Sequence, residues 1–272
     1  NTTGANNNRP VLLLNTTLLD NKQFYGRVKG TGSFSLTGPQ SDLYMKIDAI
    51  ASTTDSSFVT IPSSQSRESG IADFLVERTY GREMVDSSFI SASSNVIYDV
   101  DLTANPMVTV KVELDELTGD KIEGRGAGTL NIRSGTNEKM SMRGRFDIEE
   151  GNYLFTFQSF FKKPFEISKG SQNYITWNGD PYAARIQFEA KYTAENVSFA
   201  PLADILSSTD ASYSHLREDV YVMVNLSGDL FKPDFKFRID LPPNSKANND
   251  FSIGSALQQI EKNQNEINRQ VT

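Results

Sequence analysis

The chain predicts an all-β fold: a long antiparallel sheet curled into an open apolar trough, with short helical insertions and a C-terminal amphipathic helix. Three observations predict it. Apolar and polar residues alternate with period two through most of the 272 residues. Gly, Asn and Asp punctuate that alternation at short intervals, and nowhere do strands and long helices succeed one another as a parallel α/β sheet would require. Strict alternation gives each strand one wet and one dry face, so the dry faces together must be covered by something.

The elements follow in order. Residues 1–9 are a flexible polar start, and Asn1 in place of Met indicates a processed or excised piece. Over 24–36 the dry parity holds Phe24, Gly26, Val28, Gly30, Gly32, Phe34 and Leu36. Leu43, Met45, Ile47, Ala49 and Ala51 then oppose Tyr44, Lys46 and Asp48. A polar insertion at about 62–92 carries a short helix over 71–80. Val96, Tyr98, Val100 and Leu102, then Val108, Val110, Val112 and Leu114, resume the alternation. Ile122, Gly124, Gly126, Gly128, Leu130 and Ile132 continue it, followed by Phe146 and Ile148 and by Tyr153, Phe155 and Phe157.

The segment 174–192, YITWNGDPYAARIQFEAKY, reads as two strands around a sharp Asn-Gly-Asp-Pro turn, with Ile175 and Trp177 before it and Ile186, Phe188, Ala190 and Tyr192 after it. A loop with a helical turn at 202–206 occupies about 196–219. Val220, Val222, Val224 and Leu226, then Phe235, Phe237, Ile239 and Leu241, complete about a dozen strands in a β domain spanning 10–248. Leu257, Ile260, Ile267 and Val271 stand at helical spacing within the C-terminal helix of 249–272. Glycine on the dry parity has two readings, as bulges and tight bends in a strongly curved sheet or as a hollowing of the dry face.

Composition narrows the chemistry. No cysteine is present, which removes disulfides, thiolate catalysis and cysteine metal sites together. A net charge of -7 argues against nucleic acid as a partner, since phosphate neutralisation needs concentrated Lys and Arg. No apolar run approaches the ~20 residues of a membrane-spanning helix, so any membrane anchor lies outside this chain. The one histidine, His215, cannot supply a histidine zinc site, and no GxSxG, P-loop or GxGxxG motif is present. Carboxylate pairs such as Glu113 with Asp115 or Glu149 with Glu150 resemble a glycosidase pair in composition only, because charges alternating along a strand form a solvated face. No catalytic residue, metal site or cofactor is expected. Residues 160–165, FFKKPF, combine aromatics with lysines, either as a membrane-surface patch or as a strand connection with its Phe side chains folded inward.

Several stretches resemble the TamB family, the translocation and assembly module subunit, in its C-terminal domain of unknown function. They are GRGAGTLNI at 124–132, GRFDIEEGNYLF at 144–155, ITWNGDPYA at 175–183 with the strand 186–192, and NLSGDLFKP at 225–233 before 235–241. Upstream, 14–17, 20–21, 24–26 and 32–38 resemble the Bacteroidetes-type branch. The resemblance implies a β-taco, a trough with an apolar lining. It also implies a cell-envelope protein anchored in the inner membrane, crossing the periplasm, and meeting an Omp85-type outer-membrane barrel of the BamA or TamA kind near its C-terminal region. The implied role is phospholipid transport to the outer membrane and support of barrel-protein assembly. The tail departs from the family pattern, since a polar helix precedes Thr272 where a more apolar segment usually follows.

Physics makes the lipid role plausible independently. Each methylene exposed to water costs about 0.8 kcal/mol, and a dry trough lowers that barrier without cofactor or chemistry. The candidate lipid-facing wall is Val28, Phe34, Met45, Ile47, Val100, Val108, Val110, Val112, Leu130, Ile132, Phe146, Ile148, Phe155, Phe157, Trp177, Ile186, Phe188, Val222, Val224, Phe235 and Phe237. An open trough lets Val110→Asp or Phe188→Arg block function while leaving folding nearly intact. The alternatives are a structural or adhesive β-sandwich or solenoid with a self-filled core, and a carbohydrate-active enzyme. A transmembrane barrel is disfavoured, because Tyr and Phe cluster within strands instead of forming girdles.

Overall fold

The computed structural model describes residues 9–63, 78–79, 82–83, 95–157, 161–200 and 215–261. Its strands are β1 (Val11–Thr16), β2 (Tyr25–Thr37), β3 (Asp42–Ala51), β4 (Ser57–Ile61), β5 (Arg78–Thr79), β6 (Arg82–Glu83), β7 (Asn95–Asp115), β8 (Asp120–Gly135), β9 (Ser141–Phe157), β10 (Phe161–Ile167), β11 (Tyr174–Gly179), β12 (Arg185–Ser198), β13 (Arg217–Asp229) and β14 (Lys232–Asp240). All but β5 and β6, which pair with each other, join one 12-stranded sheet in the order β1-β2-β3-β7-β8-β9-β10-β12-β13-β14. At about 3.3 Å per residue, the 21 residues of β7 span roughly 70 Å.

In two places a pair of shorter strands shares the gap between long ones. The start of β2 pairs with β4 and its remainder with β3, and both β3 and β4 lie along β7. In the same way β11 pairs with the first half of β9 and β10 with its second half, and both reach β12. Every pairing is antiparallel except those of β3 and β4 with β7, which are parallel. The uniform antiparallel pattern expected from alternation thus breaks at β7, because the chain returns to this edge by a long crossover instead of a hairpin.

Turn chemistry fixes the ends of the strands. The Asp115 carboxylate accepts the amides of Leu117 and Thr118 at 2.7 and 3.1 Å, and Gly119 follows at φ 77°, which reverses β7 into β8. The expected Asn-Gly-Asp-Pro turn is present between β11 and β12, with the Asp180 carboxylate accepting the Tyr182 amide at 2.9 Å. We call the end to which β7, β9, β12 and β14 all run the lower end of the sheet.

The sheet curls. Phe155 on β9 and Phe237 on β14 approach to 5.7 Å between ring centroids, with three strands between theirs along the sheet. On the far side the Tyr182 hydroxyl donates to the Lys22 carbonyl at 3.4 Å, so the turn between β11 and β12 touches the β1–β2 connection. Glycine makes the curl possible: a Cβ on Gly126 or Gly128 would fall on the backbone carbonyl of Asp147 or Arg145 across the strand pair. These two positions are creases, as the first reading of the dry-face glycines expected.

Below β14 a single 3-10 turn (Ala247–Asn249) leads into α1 (Phe251–Glu261). Asp250 caps the helix, its carboxylate accepting the Ser252 amide at 2.8 Å. The helix buries Ile253 and Ala256 in the main core, with Leu257 packed against it. The expected helix is therefore present over 251–261, and its continuation lies outside the described residues. So does the helical turn at 202–206. Of the helix expected over 71–80, the described part, Arg78–Thr79, is a strand.

Candidate functional site: the two halves of the trough

Cross-strand registers sort the dry face into rows, and the rows differ in what covers them. The upper rows run Leu36, Met45, Tyr98 and Ser134, then Phe34, Ile47, Val100, Ile132 and Met142, then Gly32, Ala49, Leu102, Leu130, Gly144 and Trp177. Phe34 is 52% exposed, Leu36 47% and Tyr98 42%, while Met45, Ile47, Val100, Leu102, Leu130 and Ile132 are half-buried. Ala49 and Trp177, in the lowest of these rows, and Met142, beside Ile132 in the middle one, are buried.

The lower rows are filled with protein. Val108, Val110, Val112, Phe146, Ile148, Ile186, Phe188, Val222, Val224 and Phe237 are buried in one core, and Trp177 joins them. Val28 on β2 is also buried. Tyr153 sits at the centre, 5.7 Å from Phe188 in an edge-on contact, 6.3 Å from Phe165 and 6.5 Å from Phe235 in a stacked one. Phe155 bridges Phe165, Phe235 and Phe237 at 6.3, 5.8 and 5.7 Å. Phe235 remains 39% exposed at the lip of this cluster. The side chain of Phe157 lies outside the described residues.

The candidate wall therefore divides. Phe34, Met45, Ile47 and Val100 lie on the accessible part, Leu130 and Ile132 beside them are half-buried and pack against the core, and most of the others form that close-packed core. For Val110 and Phe188 this corrects the expectation that a charge leaves folding nearly intact, because neither faces an open groove. Leu36 and Tyr98 belong to the accessible surface although they were not among the candidates, and their shared parity with Phe34 and Val100 was the available signal.

The core holds two buried polar atoms without a hydrogen-bond partner among the described residues, the Tyr153 hydroxyl and the Trp177 indole nitrogen. Burial, with the Asp120 charge second, pushes the Tyr153 hydroxyl far above its ordinary pKa, so it stays neutral. Residues 160–165 follow the inward reading where described: Phe165 is buried, Lys162 and Lys163 are exposed, and the Lys163 ammonium donates to the Tyr192 hydroxyl at 3.1 Å.

On the wet face a polar network ties the parallel joint together. Lys46 on β3 pairs with Asp99, at 3.1 Å, and with Asp101 on β7. Tyr44 donates to Asp99 at 2.7 Å, and the Asn131 amide of β8 donates to Asp99 and Asp101 at 2.8 Å each. Burial pulls the Asp99 carboxyl upward, but the hydrogen bonds from Tyr44, Asn131 and Lys46 outweigh it and hold it below the ordinary range. Bonds from Lys46 and Asn131 hold Asp101 low as well. Farther down, a cleft of about 410 Å³ is lined by Glu123, Arg125, Glu150 and Lys169 among others. Two of its carboxylates are ion-paired, Glu150 with Arg125 at 3.1 Å and Glu123 with Lys111 at 3.3 Å. Among the described residues no group of three or more His, Asp or Glu is placed to hold a metal ion, and no helix is long and apolar enough to cross a membrane.

A curled, mostly antiparallel sheet with an apolar inner face, closed at one end and accessible at the other, defines a trough-forming β protein. The chain matches the model of the TamB C-terminal domain over residues 5–267 and belongs to the TamB family. It is accordingly a TamB-type protein of the cell envelope. No curated protein matches it significantly.

Proposed function

We propose that the accessible upper face shields phospholipid acyl chains in transit to the outer membrane, and that the filled lower half is the structural block that holds this face in shape. The observation that carries the reading is the row Phe34, Ile47, Val100 and Ile132, four apolar residues on dry parity that no other part of the described chain fully covers. Along β7 the dry-parity residues Val96, Tyr98, Val100 and Leu102 all stay at least partly exposed, a stretch about 20 Å long at 3.3 Å per residue. That length accommodates the ~15 Å hydrocarbon depth of one bilayer leaflet. Transfer of this kind needs shielding and no catalysis, since removing methylenes from water at about 0.8 kcal/mol each is the whole task.

The same reading has the domain acting near the outer membrane beside an Omp85-type barrel of the BamA or TamA kind, with the inner-membrane anchor elsewhere in the protein. Two sheet edges support it: among the described residues β1 pairs only with β2 and β14 only with β13, and free edges are the usual means of strand addition to a partner sheet. The test is photo-crosslinking from Phe34, Ile47 and Val100, combined with mass spectrometry of co-purified lipid, against Phe188 and Val224 as buried controls. Lipid captured from the upper positions and not from the controls is the expected result. No phospholipid at any upper position would overturn the reading.

A further inference from the structure

The dry face changes character along its length, and it does so in one direction. At its foot Ala104, Phe146, Ile175 and Ile186 form a row, linked through Gly128, in which all four side chains are buried. One step higher Leu102 faces Leu130 across the β7–β8 pair, and both are half-buried. Val100 faces Ile132 in the next row, and then the chemistry turns: Tyr98 faces Ser134. Above them the Thr136 amide donates to the Val96 carbonyl at 3.0 Å, and its hydroxyl oxygen accepts the Val96 amide at 3.1 Å. Read upward on one parity, β8 and its turn therefore run Leu130, Ile132, Ser134 and Thr136, from aliphatic to hydroxyl.

The polar end is not satisfied internally. Tyr98 is 42% exposed and Ser134 half-buried, and among the described residues neither hydroxyl is engaged by another side chain. In the β8–β9 turn Arg133 is held by Glu138 through bonds of 2.9 and 3.2 Å. The next residue, Lys139, is exposed and has no ion pair among the described residues. Length brings these groups into play. Measured upward from Leu102 at about 3.3 Å per residue, the ~15 Å hydrocarbon depth of one leaflet ends between Tyr98 and Val96, level with Ser134 and Thr136.

We infer that the upper face holds a phospholipid in one orientation, with a chain tip down against the Leu102–Leu130 pair, ester carbonyls level with Tyr98 and Ser134, and the phosphate at the upper end where Lys139 is exposed. The inference rests on the shielding function proposed for this face and adds to it a direction and a reader of the polar end. The Tyr98 and Ser134 hydroxyls donate to the ester carbonyls, so a glycerolipid is held better than a plain hydrocarbon. The reverse orientation would press a phosphate onto Ala104 and Phe146, where an unpaired charge is strongly disfavoured.

The test uses the whole chain and two photoactivatable phosphatidylglycerols, one with its diazirine at the terminal carbon of a 16-carbon chain and the other with it beside the carboxyl. Tandem mass spectrometry assigns the label to residues. The tip probe is expected on Leu102 and Leu130, and the carboxyl-side probe on Tyr98 and Ser134. Both probes on the same residues, or the opposite order, overturns the orientation and leaves the shielding function standing. No label from either probe on the upper face overturns the shielding function and the orientation with it. The hydroxyls are tested by Tyr98→Phe combined with Ser134→Ala, which removes two hydrogen bonds and is expected to lower phospholipid capture roughly tenfold while capture of a photoactivatable hexadecane is unchanged. Undiminished phospholipid capture, or an equal fall for both probes, overturns their role. A thermal melt checks that the double variant folds, and Ser134→Ala alone takes its place if it does not.

Discussion

The rings of Tyr153 on β9 and Phe188 on β12 meet edge-on at 5.7 Å between centroids, and both residues are fully buried. Alternation alone assigns them the same parity as Phe34 and Val100, yet the curl brings one set against protein and leaves the other accessible. The two halves of one dry face therefore answer differently to mutation.

Phe188→Ala is expected to cost about 3–5 kcal/mol, the range for a large aromatic removed from a packed core. Phe188→Arg or Val110→Asp buries an unpaired charge and is expected to abolish folding. Phe34→Ala on the upper face is expected to change stability by no more than about 0.5 kcal/mol. Urea denaturation of the variants separates these outcomes, and equal losses at both sites would contradict the division into a filled and an accessible half.

Gly126→Ala tests the crease. Its Cβ would press on the Asp147 carbonyl, which belongs to a paired strand and cannot rotate away, so a loss of about 1–3 kcal/mol follows from overpacking alone. The unfolding midpoint is the readout, and a neutral Gly126→Ala would mean that the curl does not depend on this contact.

Tyr153→Phe removes a buried hydroxyl that has no hydrogen-bond partner among the described residues. Since burial without a partner costs on the order of 1–3 kcal/mol, the variant is expected to be at least as stable as the parent. A marked loss in thermal unfolding would show that the hydroxyl is satisfied when the protein is in solution.

Acid acts in the same direction on the parallel joint and on the Glu218 carboxylate of β13, which accepts the Ser245 hydroxyl and the Lys246 and Ala247 amides just before α1. The Ser245 hydroxyl is the main cause holding the Glu218 carboxyl below its ordinary 4.5, with burial opposing and the amides of Ala247 and Lys246 reinforcing. A carboxylate with a lowered folded pKa contributes stability that is complete above its unfolded value and is lost as the pH falls through the folded one. Protection of the 247–257 amides is therefore expected to hold from neutral pH down to about 4.5 and to fall below it. Asp99 and Asp101, shifted down from 3.8, weaken the β3–β7 joint at still lower pH. Hydrogen exchange across a pH series, corrected for intrinsic rates, follows both, and helix release at neutral pH would contradict the assignment to Glu218.

Much of the sheet is legible in the sequence because period two survives whatever the strand packs against. Val108, Val110 and Val112 oppose Thr109, Lys111 and Glu113 in the chain and again in β7. The parallel joints are not legible: Ile47 and Val100 alternate identically in either direction, and the link from β3 to β7 passes through β4 and a long insertion. Nor does alternation say what covers a dry residue, so Phe188 and Phe34 read alike. The C-terminal helix was visible in the spacing of Leu257 and Ile260, but its anchoring residues, Ile253 and Ala256, are few and small. Glu218 carries no local signal, since its partners lie 27 to 29 residues away.

The sharing of β7 between β3 and β4 separates reach from cohesion. The edge of β7 that meets β3 ends at Thr103, and the edge that meets β4 begins at Val108, so added residues at the upper ends of β3, β7 and β8 would leave the Tyr153 cluster untouched. A domain built in this way can be lengthened like a telescoping ladder, one rung at a time, until its apolar face matches whatever gap it has to cross.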